Sequence, residues 1–302
     1  MRMESLERCP ACGARHWTEV TGHGMDFTSQ RIHRCDTCGL LFQSPRMDAQ
    51  SLRDYYASEF SLRFRGSETP DVQALAMRDA IAAYRFDWLK ERGILAPGRS
   101  LLELGCGAGS FLRLCERFGM AVWGVEPSEG YAAHARSLGL SVEPGHFPAA
   151  RGGREQYDVV ALFHVLEHLP RPRETLQLIR GMLEPGGMLV IEVPDIGRAI
   201  GPRWSERYFH APHLLDFTED SLRYLLTDAG FEVVAQDTRG QDRRRRHHLL
   251  VAARVAMRPT PPVASAAGML RVLLRLRFWI VVSRVTRPLV TGARQLRPRG
   301  PR

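Results

Sequence analysis

The stretch that most constrains the fold is LLELGCGAGSF, residues 101–111. A short apolar run ends in Glu103, and Gly105, Gly107 and Gly109 follow at alternate positions before the amphipathic stretch SFLRLCERF begins. Glycines spaced in this way let the chain turn through positive φ and let a ligand approach the main chain. A strand that runs through such a turn straight into a helix is half of a βαβ unit, and the same grammar repeats downstream. AVWGVE, a short strand near LSVE, YDVVALF and MLVIEV read as strands; EGYAAHARSL and ETLQLIRGML read as helices, and EPGG as a turn. Strands that are apolar nearly throughout, alternating with helices, predict a parallel sheet covered on both faces.

The flanks extend this pattern. DVQALAMRDAIAAYRFDWLKER, residues 71–92, has helical periodicity and Gly93 as its stop. The helix EDSLRYLLTDAG is followed by the strands FEVVAQD and HHLLVAARV. RGQDRRRR joins these two strands and is short enough for a hairpin, so the last strand should run antiparallel. Residues 40–66 and 194–217 read as irregular, 258–268 as a Pro- and Ala-rich linker, and 269–296 as one further helix.

The glycine turn also restricts its ligand. A dinucleotide fingerprint is G-x-G-x-x-G, whereas the spacing here is G-x-G-x-G with Glu103 two residues before the first glycine. A carboxylate there would repel a pyrophosphate, and no Lys-Ser or Lys-Thr follows to make a P-loop. S-adenosylmethionine satisfies both restrictions: it offers an ammonium and a sulfonium and has no phosphate. At the end of the next strand Glu126 stands where an acid accepts hydrogen bonds from both ribose hydroxyls.

At this point the sequence resembles the class I S-adenosylmethionine-dependent methyltransferases. The matching pieces are ELGCGAGSF, VWGVEPS, YDVVALFHVLEHL and LEPGGMLVIEVPD, and the likeness covers about residues 97–255. It implies a Rossmann-like α/β fold whose seven-stranded sheet has the order 3-2-1-4-5-7-6, with strand 7 antiparallel. It implies that Glu103, Gly105 and Gly107 line the methionine end of the cofactor, with Cys106 and Gly109 in the same binding loop. Glu126 would hold the ribose, flanked by Pro127 and Ser128. Many relatives place an acid after the third strand to meet the adenine amino group; this chain has EPGHFP, where Phe147 is the candidate to pack on the ring.

HVLEH, residues 164–168, matches H-x-x-E-H, an inverted zinc-protease motif. Pro170 follows at once and leaves no room for the required helix, so His164 is expected to line the cofactor or substrate site and His168 to be an ordinary turn histidine. The [DN]-P-P-[YF] motif associated with methylation of base amino groups is absent from this place. The long connection after the fifth strand carries Trp204, Tyr208, Phe209, His210 and His213. Likeness to relatives with an H-L-x-x-F-T segment puts His213 near the reacting group, where a histidine titrating near neutrality could take a hydroxyl proton. Capping of the next helix, or packing on Phe217, remains the alternative for His213.

Cys9, Cys12, Cys35 and Cys38 form C-x2-C-x22-C-x2-C, each pair followed by glycine. Four thiolates at this spacing suit one tetrahedral zinc, and with no open coordination position that zinc is structural. Together with CDTCGLLFQSP and LRDYYASEF, the head resembles the zinc-binding head of bacterial methyltransferases acting on sugars and secondary metabolites. The expected organisation is a zinc-ribbon head at 1–45, a connector and helix at 46–96, the methyltransferase domain at 97–257, and a linker with a basic apolar tail at 258–302.

Charge narrows the partners. From Arg239 onward there are 16 arginines and one acid, Asp242, a net +15. The whole chain is +9, which leaves about −6 for the first 238 residues. An acidic body with a basic end argues against nucleic acid as the partner, although a zinc-ribbon RNA methyltransferase is the alternative function, and a non-catalytic zinc-ribbon interaction module a third. The leading expectation is methyl transfer to a hydroxyl of a small-molecule, sugar, glycan or lipid-linked acceptor. The first residues, MRMESLERC, have no apolar core of a secretory signal, and the paired cysteines suit a reducing cytoplasm. Residues 269–297 mix arginines with aromatics and large aliphatics, a composition fit for peripheral contact with the inner face of a membrane. The longest apolar run there, FWIVV at 278–282, is far short of the ~20 residues of a spanning helix.

Overall fold

The computed structural model describes residues 2–21, 31–58, 69–199, 212–238, 247–257, 261–263, 271–272, 274–276 and 278. The head contains β1 (Met3–Glu4), β2 (Trp17–Thr21), β3 (Ile32–Cys35), β4 (Leu41–Gln43) and β5 (Arg46–Met47). Two helices follow, α1 (Ala49–Ser58) and α2 (Val72–Lys90). The segment expected to be an irregular connector at 40–66 thus holds two short strands and a helix. The reason is tertiary: β4 gains its partners from β3 on one side and from a much later strand on the other.

The alternating pattern then unfolds as read. Its elements are β6 (Ser100–Leu104), α3 (Ser110–Arg117), β7 (Ala121–Glu126), α4 (Glu129–Ser137), β8 (Val142–Pro144) and β9 (Tyr157–Phe163). After a 3-10 turn at Leu166–His168 come α5 (Pro172–Gly181) and β10 (Leu183–Pro194). β10 absorbs the EPGG turn, and the register slips between Leu183 and Met188. The stretch read as irregular at 194–217 contains α6 (Ile196–Ala199) and β11 (Leu215–Asp216), and α7 (Glu219–Asp228), β12 (Phe231–Asp237) and β13 (His248–Val255) complete the domain.

The large sheet has the order β12-β13-β10-β9-β6-β7-β8. Numbered within the domain this is 6-7-5-4-1-2-3, the inferred order read from the other edge. β8, β7, β6, β9 and β10 are mutually parallel, and β13 runs antiparallel to both of its neighbours, β10 and β12. Every residue of the central β6 is buried, as a strand covered on both faces requires. Alternation along it splits the core. Leu101 packs with Phe111, Leu112, Ala132 and Leu89 on the face of α2, α3 and α4. Leu102 and Leu104 pack with Leu176, Ile179, Leu222 and Leu225 on the face of α5 and α7.

The second face does not end at the domain. Its apolar cluster runs on into the head through Phe217, Leu215 and Leu214 to Phe42, Leu40, Cys35 and Cys38. β11 pairs with β4 and so completes a four-stranded sheet of order β11-β4-β3-β2. In the described part of the tail, Leu276 is fully buried against Ile32, Leu41 and Ile196, and Arg275 Nη1 donates to the Gly197 carbonyl at 3.3 Å. No helix among the described residues is long and apolar enough to cross a membrane.

Candidate active site

A cavity of about 1070 Å³ opens beyond the C-terminal ends of β6, β7, β9 and β10, where ligands bind in open α/β sheets. Small-molecule sites span roughly 300–1000 Å³, so this one has room for two ligands side by side.

Its floor is the glycine turn. The amides of Gly105 and Cys106 donate to the Val125 carbonyl at 2.7 and 3.1 Å, tying the loop to β7. Gly105 has φ +74°, and a Cβ there would stand 2.6 Å from Val165 Cγ2, so only glycine lets the loop pass. Glu126 is buried: its Oε2 accepts from the Gly107 amide at 2.8 Å and its Oε1 from the Ser128 amide at 3.0 Å. Both oxygens are thereby fixed at the cavity wall. Glu103 is 4% exposed, and its Oε2 has no hydrogen-bond partner in the protein. Burial pushes its carboxyl up to about 8, with Arg85 pulling the other way and Glu126 adding to the rise. An orphaned buried carboxyl beside a fixed carboxylate and an open glycine loop is a donor set that fits an ammonium and a ribose. Cys106, Pro127 and Phe147 line the same cavity. Gly109 does not: its φ is +79°, and a Cβ there would meet Leu140 Cδ1 at 2.5 Å and Ala135. Gly109 therefore serves close packing of α3 against α4 rather than the ligand.

The next part of the wall centres on His164, which adopts φ +57° before the 3-10 turn. Its Nδ1 lies 3.2 Å from Glu167 Oε1 and its Nε2 3.2 Å from Glu192 Oε1. Burial opposes its protonation, but the two carboxylates overcome this and lift it to about 9. His164 is thus an imidazolium donating through both nitrogens. It lines the cavity as expected, but it has no lone pair for a ligand. Burial also opposes the ionisation of Glu192, yet Arg85 at 2.6 Å and His164 hold it below the usual carboxylate range. Arg85 lies 4.2 Å over the Phe163 ring. The His248 ring is 4.8 Å from that of His164, and burial followed by the His164 charge pushes it down to about 4.

Beyond this wall the cavity reaches His213, which stands with its ring 4.8 Å from that of His168. His168 Nδ1 lies 2.7 Å from the Pro212 carbonyl, which can only accept, so Nδ1 carries the proton. His213 does not cap α7; Thr218 does, in a reciprocal arrangement with Ser221. Glu167 is buried beside them with Oε2 unpartnered, and burial raises the nearby Asp216 well above its ordinary range. Donor atoms of Glu167, His168 and His213 lie within 4.8 Å of one another, as do those of His164, Glu192 and His248; the protonated His164 leaves only the first trio able to hold a cation. Trp204, Tyr208, Phe209 and His210 lie outside the described residues. Sequence reasoning missed Glu192 and read His168 only as an ordinary turn histidine. The signal for Glu192 was available, an acid inside the apolar strand MLVIEV. Arg85 and His248 carried no such signal.

The four cysteines of the head converge. Cys9 and Cys38 sulfurs are 3.6 Å apart and those of Cys12 and Cys35 are 3.5 Å apart, with all four within 4.8 Å. The edge of a zinc–thiolate tetrahedron is ~3.8 Å, given Zn–S bonds of ~2.3 Å. The two knuckles match. Gly13 and Gly39 both have φ +74°, and their amides donate to Cys9 and Cys35 carbonyls at 2.9 and 3.0 Å. The donor set fits one tetrahedral thiophilic cation.

Residues 75–236 match the model of a methyltransferase domain. The chain belongs to this family. Curated relatives of the methyltransferase domain include the ubiquinone biosynthesis O-methyltransferase of Pseudomonas syringae pv. tomato, 34% identical over 112 residues, covering 35% of this chain and 48% of the relative. The enzyme of the same name from Ruegeria pomeroyi is 32% identical over 154 residues, covering 45% of this chain and 61% of the relative. The chain thus spans about half the length of the curated relatives it matches. Among solved structures, magnesium protoporphyrin IX methyltransferase from Synechocystis PCC 6803 superposes with a TM-score of 0.53 at 20% identity, over 68% of this chain and 99% of that one. That likeness concerns the fold of the methyltransferase domain.

Proposed function

We propose that the protein transfers a methyl group from S-adenosylmethionine to a hydroxyl oxygen of a small-molecule acceptor, and that its head holds one structural zinc. The observation that carries this reading is the pairing of Glu103, buried with an unpartnered oxygen, with Glu126, whose two oxygens are fixed at the end of the adjacent strand. Glu103 and the Gly105–Gly107 turn would receive the amino-acid end of the cofactor, Glu126 its ribose, and Phe147 its base. When bound, the cofactor supplies a sulfonium methyl open to in-line attack and leaves as a neutral thioether. The chain's own work is then alignment, which can supply much of the rate, and removal of the hydroxyl proton. His213 lines the same cavity and is the residue we assign to take that proton.

Oxygen as the accepting atom is supported by the named activity of the curated relatives, both O-methyltransferases. The cavity wall also has Leu52, Met77, Leu169 and Leu178 with Arg53 and Arg171, which suits an acceptor with an apolar body and a polar group, such as a lipid-linked sugar or metabolite. Membrane contact through 269–297 has less support, because Leu276 is spent on the protein's own surface, while Leu274 and Phe278 are exposed. The test is transfer of tritium from methyl-labelled cofactor into organic-phase and aqueous-phase cell fractions. Organic-phase label is expected; aqueous label would move the acceptor to a soluble sugar, and label in neither would overturn the reading.

A further inference from the structure

We infer that Gln43, in the cysteine-bearing head, is a positioning residue for the methyl-transfer site: it fixes where His213 stands. The inference rests on the role assigned to His213 above. Three consecutive carbonyls around that histidine are each gripped from another element. Pro212 O meets His168 Nδ1 at 2.7 Å and Tyr56 OH at 3.5 Å. His213 O accepts from Gln43 Nε2 at 2.6 Å, and Leu214 O accepts from the Gln43 amide at 3.0 Å. Gln43 therefore holds two successive peptide planes, one with its side chain and one with its main chain. From there Leu215 pairs with Phe42 and Asp216 with Leu41.

The two peptide planes that flank residue 213 carry the Pro212 carbonyl, held by His168 and Tyr56, and the His213 carbonyl, held by Gln43, so both backbone torsions at residue 213 are set, and its ring stands 4.8 Å from that of His168. Gln43 is 1% exposed, in a strand whose neighbours Leu41 and Phe42 are fully buried. Burying an amide there costs free energy unless it is hydrogen-bonded, and a leucine or methionine would fill the space without that cost. The buried side-chain N–H is thus explained by the carbonyl it meets. The grip is in turn anchored by the head. Ile32 of β3 is paired with Gln43, β3 ends at Cys35, and the Cys35 amide donates to the Leu40 carbonyl at 2.9 Å, directly before β4. The knuckle of Cys35 and Cys38 is therefore the base on which the His213 segment rests, and the head is a working part of the active site.

The deciding variant is Gln43→Met, which keeps the volume and removes the N–H donor. Full-length protein with 13Cε1-labelled histidine would be examined by proton–carbon correlation, with His213 and His168 signals assigned from His213→Ala and His168→Ala. In Gln43→Met the His213 and His168 signals should shift or broaden, while affinity for S-adenosylhomocysteine stays within about twofold of wild type by calorimetry. Turnover on the labelled fractions should fall on the order of 10–100-fold with cofactor KM unchanged, the scale of a misplaced reacting group. A purely structural glutamine would lower the melting temperature without singling out these two rings. Should Gln43→Met not fold, Gln43→Asn, which keeps the amide but withdraws it, should displace the same signals. Wild-type His213 and His168 signals in a folded variant would overturn the inference. Full turnover in His213→Ala, with shifted signals in Gln43→Met, would remove the base assignment and leave the positioning intact.

Discussion

Glu103→Gln tests the electrostatic design of the cofactor cleft. The wild-type carboxyl is pushed from 4.5 to about 8, so at pH 7 about nine-tenths of the ligand-free protein carries it protonated. Meeting an ammonium as an ion pair requires the ionised form, and ionising at pH 7 costs roughly one factor of ten in affinity. Wild-type binding should therefore tighten with pH up to about 8, and glutamine, which cannot ionise, should remove that component. Near pH 6 both proteins present a neutral group and should bind alike. By pH 8.5 the wild type holds a charged contact worth roughly 1.5–3 kcal/mol, so Glu103→Gln should bind roughly 10–150-fold more weakly. The assay is calorimetry with S-adenosylhomocysteine at both pH values; the ligand's own titration is common to both proteins and cancels in the ratio. Stability should move the opposite way. A folded-state pKa above the unfolded one means that the folded protein keeps a proton the unfolded chain has lost, so stability falls as pH rises from 4.5 to about 8. The full cost above that window is on the order of 5 kcal/mol, and Glu103→Gln without ligand should be the more stable protein at pH 8.5 and no more stable at pH 4. A wild-type-to-variant affinity ratio that is the same at pH 6 and 8.5 would refute the assignment of Glu103 to the ammonium.

The other predictions follow from the same geometry. Glu126→Ala should weaken S-adenosylhomocysteine binding by roughly 1.5–3 kcal/mol, the scale of hydrogen bonds to a charged group; unchanged affinity by calorimetry would mean that the ribose lies elsewhere. Purified protein should contain one zinc per chain by elemental analysis, and Cys35→Ser should lose it. Because the head shares its core with the domain through Phe42, Leu215 and Phe217, that variant should also lower the melting temperature of the whole protein rather than unfold the head alone. His213→Ala should lower turnover on labelled fractions with cofactor affinity near wild type; full turnover would return His213 to a packing role.

How much of this was legible in the sequence depends on range. LLELGCGAGSF determined its own strand, turn and helix because the apolar run, the positive-φ glycines and the amphipathic helix are all local, and Glu103 and Glu126 are placed by the strands that end beside them. The two C-x-x-C-G knuckles were legible for the same reason, since each glycine shapes its own turn. Periodicity could not reveal strands only two or three residues long, such as β4 and β11, which exist because they pair across a gap of some 170 residues. That pairing made part of an expected connector a strand of the four-stranded sheet. It also brought Gln43, His168 and His213 together, although nothing in the sequence around any one of them mentions the others. The protonation states were likewise decided only by the fold. Glu103 is held neutral because burial deprives its charge of water, and His164 is held charged because Glu167 and Glu192, far apart in the chain, flank it closely enough to outweigh the same burial.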